Sequence, residues 1–224
     1  MNSTPQSLTQ SLTWSLSHPL TRTACLMALV AASLNLAGCE VLAVGALAGG
    51  SSAVAVDRRT AGIQLEDKTI EIKIGQRAKE LFADRAAVNA TSYNRMVLLT
   101  GQVANQADRA AAEEAARAVE NVKSVINDLV VGIPSSLTSR AADSVITGKV
   151  RASFIDAKDL SSTAFKVVTE NGAVYLMGMV TEEESKRATQ LAAGVSGVTK
   201  VVRALEIITP EQLLKLRGRA DGTR

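Results

Sequence analysis

The chain has 224 residues, of which 46% are hydrophobic and only 3% aromatic, and its formal net charge is +3. This length allows one or two domains of ordinary size, and so small a charge argues against a strongly basic, nucleic-acid-binding surface. Past the N-terminal region, no uninterrupted apolar run reaches the ~18 residues of a membrane-spanning helix.

The first 38 residues have the pattern of a secretory signal peptide. Residues 1–22 are polar and lack acids, and residues 23–36 form an apolar segment as long as a signal-peptide core. The tetrapeptide LAGC, ending at Cys39, is similar to a bacterial lipobox, in which small residues fit the peptidase and the thiol takes a diacylglyceryl group. We therefore expect residues 1–38 to be removed and Cys39 to carry diacylglyceryl and N-acyl groups, such as palmitate.

The predicted cleavage removes the residue types that most enzymes use. His18, Trp14 and Cys25 are the only His, the only Trp and the only Cys besides Cys39, and all three lie in the leader. The mature chain is therefore expected to have no His-based triad, no thiol nucleophile, no disulfide and no Cys/His metal site. We predict a non-enzymatic protein that has no catalytic residue, no metal and no cofactor other than its covalent lipid.

Residues 39–66 are predicted to be a lipidated tether and linker. Residues 41–56 are apolar but interrupted by Gly and Ser, and they are too few for a membrane span. A flexible tether is the favoured interpretation, and a segment lying in the membrane interface is the alternative. Residues 57–66 complete the predicted linker.

The rest of the chain contains one motif twice. VLLTGQV at 97–103 and VYLMGMV at 174–180 both alternate as strands do, and they place Gly101 and Gly178 at matching positions. Other residues of the first copy also have a counterpart in the second at nearly the same distance along the sequence, which indicates an internal repeat. We predict one small domain in two copies, at 67–133 and 143–208, followed by a basic C-terminal tail at 209–224 that includes a helix-like segment.

The sequence pattern of each copy predicts the element order α-β-β-α-β. The first helix is expected to begin near Asp67 in copy one and near Asp143 in copy two, with these acids as caps. Asn171-Gly172 is typical of a tight hairpin between two strands, and the closing strand of copy one is expected at 122–131. The predicted fold class is α+β, with two helices covering a three-stranded sheet in each copy. Because each copy has under ~70 residues, we expect one to pack on the other.

The lipobox, the linker and the two copies with a VxLxGxV strand resemble the dual BON-domain lipoproteins of the bacterial outer membrane. Gly101 and Gly178 correspond to the family's motif glycines. The Gly-Val that precedes the last strand in the family corresponds to Gly197-Val198, whereas copy one has Asn121 in place of the glycine.

This resemblance implies a location and a function. Its members are division-associated lipoproteins that bind anionic phospholipid and support outer-membrane integrity. Glu40 follows Cys39. In Gram-negative lipoproteins an Asp at this position usually retains the protein at the inner membrane, so its absence here is similar to the pattern of outer-membrane lipoproteins. The resemblance therefore implies lipid anchoring at the periplasmic face of the outer membrane.

The resemblance also implies that phospholipid binds to the first helix of the second copy, at 143–158. Three apolar residues of this helix, Ile146, Val150 and Phe154, are expected to face the sheet. The candidate phospholipid-binding residues lie toward the exposed side or its edge, and they are Val145, Lys149, Arg151, Ala152 and Ile155. Cations beside apolar residues suit anionic headgroups above acyl chains, and an ordinary solvated helix face is the alternative.

Two hypotheses for the function follow. The first is a monomeric lipoprotein whose partner is a membrane containing anionic phospholipid such as phosphatidylglycerol, and not a nucleic acid. The second is a periplasmic scaffold whose domains bind envelope proteins, division proteins or the cell-wall machinery.

Overall fold

The computed structural model describes residues 57–220, and side chains are described up to residue 216. The predicted signal peptide, the predicted lipid attachment site at Cys39, the predicted tether up to residue 56 and the last four residues lie outside the described part of the chain.

The described chain forms five α-helices and seven strands, and both copies have the predicted order α-β-β-α-β. Domain 1 consists of α1 (Ala61–Phe82), β1 (Ala87–Tyr93), β2 (Met96–Val103), α2 (Gln106–Arg117), β3 (Ser124–Asn127) and β4 (Val130–Val131). Domain 2 consists of α3 (Leu137–Asp156), β5 (Phe165–Glu170), β6 (Ala173–Val180), α4 (Glu182–Ala193) and β7 (Lys200–Ile207), and α5 (Pro210–Ala220) follows it. The predicted α+β class is confirmed, and the helix-like part of the predicted tail is a helix.

Each sheet is mixed and has its motif strand in the middle. β2 pairs antiparallel with β1 and parallel with β3 and β4, and β6 pairs antiparallel with β5 and parallel with β7. The closing strand of domain 1 was predicted to be continuous, but it is interrupted after Asn127. The Asn127 side-chain oxygen accepts a hydrogen bond from the Leu129 amide there, so a local side-chain contact replaces part of the ladder.

The first helix of each domain begins earlier than predicted. Thr60 caps α1 by accepting a hydrogen bond from the Ile63 amide, and Ser136 caps α3 in the same way. The prediction that Asp67 and Asp143 act as caps is therefore wrong. Both acids are buried within the helices. Consequently, residues 61–66 of the segment predicted as a linker, 57–66, belong to α1.

A separate apolar core lies between the sheet and the helices of each domain. In domain 2, the predicted inward-facing residues of α3 are buried, which confirms that part of the pattern: Ile146, Val150 and Phe154. They pack with alternate residues of β6, such as Val174 and Leu176. In domain 1, Val97 and Leu99 of β2 lie in the corresponding core.

A third apolar cluster, here called the sheet seam, joins the two domains. Tyr93 and Leu98 of domain 1 pack with Tyr175, Met177 and Met179 of domain 2. Two leucines of α5 pack against the same cluster, Leu213 and Leu216. Each sheet is therefore covered on one face by its own helices and on the other by the neighbouring domain, as expected of copies too small to bury enough surface alone.

Polar contacts at the edges of the sheet seam also cross between the domains. The Tyr175 hydroxyl donates to Asp128 at 2.7 Å, and burial together with this hydrogen bond raises the pKa of Tyr175. Gln102 donates to Glu170 at 2.8 Å, and Asn94 donates to Glu206 at 2.6 Å. These contacts fix the register of one sheet on the other.

The motif glycines allow a close approach of backbone to the middle strands. A Cβ added at Gly101 would collide with the carbonyl oxygen of Ala87, and one added at Gly178 would collide with that of Ala164. Gly101 also has a φ of 112°, which disfavours residues that carry a Cβ. Glycine is therefore required at 101 by both the close backbone contact and the φ angle, and at 178 by the close contact alone.

We expect Gly101→Ala to lower the free energy of unfolding by about 2–3 kcal/mol, because strain and a backbone collision act together. Urea unfolding followed by circular dichroism measures the change. Gly75→Ala is the matched control, since Gly75 lies within α1 and nothing lies within 4 Å of an added Cβ. This control is expected to stabilise the protein by about 0.5–1 kcal/mol, and equal effects of the two substitutions would contradict the role of Gly101.

Candidate functional site

The exposed side of α3 carries the five residues that the sequence suggested. Val145 and Ile155 are 57% and 70% exposed, and Lys149, Arg151 and Ala152 are exposed as well. Helical periodicity places Val145, Ala152 and Ile155 on the side opposite the buried residues, with Lys149 and Arg151 on its two flanks. We call these five residues the outer face of α3.

The charge on α3 is more positive than that on the equivalent helix of domain 1. α3 contains three basic and two acidic residues, and one of the acids, Asp143, is buried. α1 contains four basic and four acidic residues, and one of its acids, Asp67, is buried as well. The surface of α3 therefore combines exposed apolar side chains with excess positive charge, which is the arrangement that anionic membranes attract.

A buried aspartate in each domain fixes the first helix to the hairpin. Asp143 accepts hydrogen bonds from the amides of Asn171 and Gly172, both at 2.9 Å. These two residues form the turn between β5 and β6 and have positive φ angles, as in the tight turns that Asn-Gly favours. Each oxygen of the carboxylate satisfies one turn amide, so α3 cannot slide along the sheet without breaking this contact.

Asp67 makes the same contact in domain 1 and two further ones. It accepts from the amides of Asn94 and Arg95 at 2.8 and 2.7 Å, from the Ser92 hydroxyl at 2.7 Å and from Arg59 at 2.8 Å. Burial alone would raise the pKa of Asp67, but these hydrogen bonds outweigh it and lower the pKa. The sequence shows that Asp67 and Asp143 occupy matching positions of the repeat, but it does not show that both bind the amides of a hairpin turn.

Residues 57–60, here called the N-terminal strap, contact both domains. Arg58 donates to both carboxylate oxygens of Glu184 at 2.8 and 2.6 Å and to the Met179 carbonyl at 2.7 Å. Arg59 bonds Asp67 of domain 1, and its guanidinium lies 4.1 Å from the centre of the Tyr93 ring. The sequence predicts this segment to be a linker. The partners of Arg58 lie more than a hundred residues away in the sequence, so no local pattern could have indicated the contact.

A cleft of about 400 Å³ lies between the domains beside α3. We call it the interdomain cleft. Arg151 and Ile155 of the outer face line it, together with residues of the strap, of the short turn before β5 and of β5 itself, including Arg59, Ser162, Thr163 and Lys166. Lys166 reaches across the domains to Glu71 at 2.7 Å. The cleft is thus continuous with the outer face of α3, a relation that periodicity within one helix cannot show.

Residues 57–220 offer neither a metal-binding cluster nor a membrane-spanning helix. Within this range, no group of three or more His, Cys, Asp or Glu side chains is placed to hold a metal ion. The helices there include none that is both long and apolar enough to cross a membrane.

The chain matches one protein family and several curated relatives. The family model of the BON domain matches twice, at residues 66–133 and 142–209. The outer membrane lipoprotein DolP of Haemophilus influenzae is 38% identical over 186 residues, which are 80% of this chain and 94% of the relative.

Two other relatives are more distant. The 21 kDa hemolysin of Actinobacillus pleuropneumoniae is 28% identical over 68% of this chain and 80% of its own length. The osmotically-inducible protein Y of Escherichia coli is 29% identical over 63% of this chain and 73% of its own length.

Proposed function

This chain belongs to the BON-domain family, and we propose that it is a non-enzymatic outer-membrane lipoprotein that binds anionic phospholipid through the outer face of α3. The LAGC motif at Cys39 supports lipid anchoring. The similarity to an outer membrane lipoprotein over 94% of that relative's length supports the location. In this proposal, the domains lie at the periplasmic face of the membrane and support its integrity, including at the division site.

The exposure of Val145 and Ile155 between two flanking cations carries the proposal. Apolar side chains that protrude from a helix enter the boundary between headgroups and acyl chains. Lys149 and Arg151 then lie at the level of the headgroups, where each cation contributes about 1 kcal/mol on an anionic surface. The outer face of α3 thus has both components of interfacial binding, although its positive charge is modest.

The lipid anchor and the helix have different roles in this proposal. Two or three acyl chains on Cys39 hold the protein on the membrane, because each buried CH₂ contributes about 0.8 kcal/mol. Contact through α3 then determines which way the domains face and which lipids they sample. The strap, which follows the tether in the sequence, supports this arrangement because Asp57 and Arg59 line the cleft beside α3.

The test uses a fragment without the anchor, so that binding through the domains is measured alone. Val54–Arg224 forms one compact unit and contains the three apolar clusters. We expect this fragment to float with phosphatidylglycerol vesicles and less with phosphatidylcholine vesicles. Lys149→Glu combined with Ile155→Asp is expected to weaken the binding by ten-fold or more, because it removes an apolar contact and reverses a charge.

The matched control changes the first helix of domain 1. Leu65→Asp combined with Lys68→Glu alters charge by the same amount, and Leu65 is 70% exposed, as is Ile155. This control is expected to bind vesicles like the unchanged fragment. Undiminished binding by the α3 variant, or an equal loss in the control, would refute the assignment to α3.

A scaffold for envelope proteins is the second candidate, and the edge of domain 1 favours it. β4 lies at the edge of its sheet, where Val130 and Val131 are 56% and 48% exposed and the nearby Ile133 is 90% exposed. An exposed apolar edge can pair with a strand of another protein. Crosslinking from position 131 in cells that recovers one stoichiometric protein, without vesicle binding by the fragment, would support the scaffold instead.

A further inference from the structure

The interdomain cleft opens directly beside the outer face of α3, and Arg151 and Ile155 belong to both. We propose that this cleft binds the phosphodiester headgroup of a single anionic phospholipid, while the acyl chains of that lipid lie along the outer face of α3. This inference rests on the proposed function and adds a defined site for one lipid molecule to it.

Arg151 is the cation of the cleft that has hydrogen-bonding capacity to spare. Arg59 is bound by Asp57 and Asp67, and Lys166 is bound by Glu71. The Arg151 side chain makes one long hydrogen bond, 3.4 Å to the Val167 carbonyl, and no ion pair with any residue of the described chain. A guanidinium with free N–H groups suits two oxygens of a phosphate at once.

Two hydroxyl groups face the same space. Ser162 and Thr163 lie in the short 3-10 turn before β5, line the cleft and are partly buried. Neither hydroxyl hydrogen-bonds to another residue between 57 and 220. Both can therefore donate to phosphate oxygens or accept from a headgroup hydroxyl.

The remaining lining favours a lipid over a free ion. Ile155 and Phe165 provide apolar walls, which can contact the glycerol and the first methylenes of an acyl chain. The volume of about 400 Å³ is larger than a phosphate ion needs and within the ~300–1,000 Å³ of small-molecule sites. Arg59 and Lys166 of the lining are already paired with carboxylates, so it is the unpaired charge of Arg151 that disfavours a headgroup carrying a quaternary ammonium.

The experiment uses the full chain, purified in a non-ionic detergent and titrated separately with phosphatidylglycerol, phosphatidylcholine and inorganic phosphate. Native mass spectrometry counts the molecules retained by each protein. We expect one tightly retained phosphatidylglycerol, weaker retention of phosphatidylcholine and no competition by millimolar phosphate. Competition by phosphate at the concentration of the lipid would overturn the proposal in favour of a free-phosphate site.

Two variants test the cleft itself. Arg151→Gln, and separately Ser162→Ala with Thr163→Val, are each expected to weaken retention of the single phosphatidylglycerol about ten-fold. Arg140→Gln is the matched control, because Arg140 is an exposed arginine of the same helix outside the cleft, and it is expected to retain the lipid.

The outcomes separate this inference from the proposed function. Loss of vesicle flotation in the α3 surface variant, with full lipid retention in both cleft variants, would overturn the cleft and leave the surface assignment in place. Absence of any preference for anionic lipid in the unchanged protein would overturn both.

Discussion

Replacing Asp67 by asparagine is expected to lower the free energy of unfolding by about 3–5 kcal/mol, because it breaks a buried charge pair together with its hydrogen bonds. Asp67 is 2% exposed, and its carboxylate accepts from Arg59, Ser92 and two turn amides. An asparagine keeps one acceptor oxygen and turns an NH₂ group toward donors, which leaves buried polar groups unsatisfied. Urea unfolding at neutral pH measures the loss.

The effect of pH on this pair has a defined sign. Hydrogen bonds hold the pKa of Asp67 below its usual value, so its contribution is fully present above the pKa of an unfolded aspartate, about 3.9. The contribution is lost as the pH falls through the lower pKa of the folded state. We therefore expect the difference in stability between the unchanged protein and Asp67→Asn to shrink on acidification below about pH 4.

Asp143→Asn is the control that isolates the additional partners of Asp67. Asp143 holds the equivalent turn in domain 2 through two amides, but no arginine or serine side chain donates to it within the described residues. Its replacement is expected to cost about 1–3 kcal/mol, as for a buried hydrogen-bonded group. Equal losses at the two positions would show that Arg59 and Ser92 add nothing to the contact.

The repeat and the element order could be read from the sequence because both depend on local pattern. Alternation in the two VxLxGxV strands, helical spacing and the shared offset predicted both sheets and the presence of all four domain helices, but not where the first helix of each domain begins. Asn121 shows why the repeat tolerates a departure from glycine. Its φ is 66°, and that of the matching Gly197 is 97°, so both adopt the left-handed region that asparagine enters more readily than most residues.

The features that were missed depend on contacts between distant segments. In each domain a hydroxyl residue (Thr60 or Ser136) and a later aspartate (Asp67 or Asp143) can both cap the start of a helix. The sequence does not show that the aspartate instead binds the hairpin turn. The N-terminal strap and the interdomain cleft exist only when the two domains have packed. For that reason the outer face of α3 was predicted, whereas Ser162 and Thr163 beside it were not.

Leu98→Ala is expected to destabilise the contact between the domains, and Leu99→Ala the core of domain 1, although the two residues are neighbours in β2. Both are fully buried, but Leu98 lies in the sheet seam and Leu99 in the domain 1 core. Each truncation is expected to cost about 2–5 kcal/mol. The two substitutions therefore match in chemistry, burial and size, and differ in the face of the sheet that they alter.

Hydrogen exchange in β6 separates the two effects. Local opening of domain 2 must break both its own core and the sheet seam, so Leu98→Ala should accelerate exchange of the β6 amides, while Leu99→Ala should accelerate it much less. The comparison is made on residues 54–224 under native conditions. If the β6 amides exchanged equally fast in both variants, the seam would contribute nothing to domain 2. If instead only Leu98→Ala accelerates exchange, the two domains stabilise each other through their sheets, and the cleft beside α3 keeps its shape because neither domain opens alone.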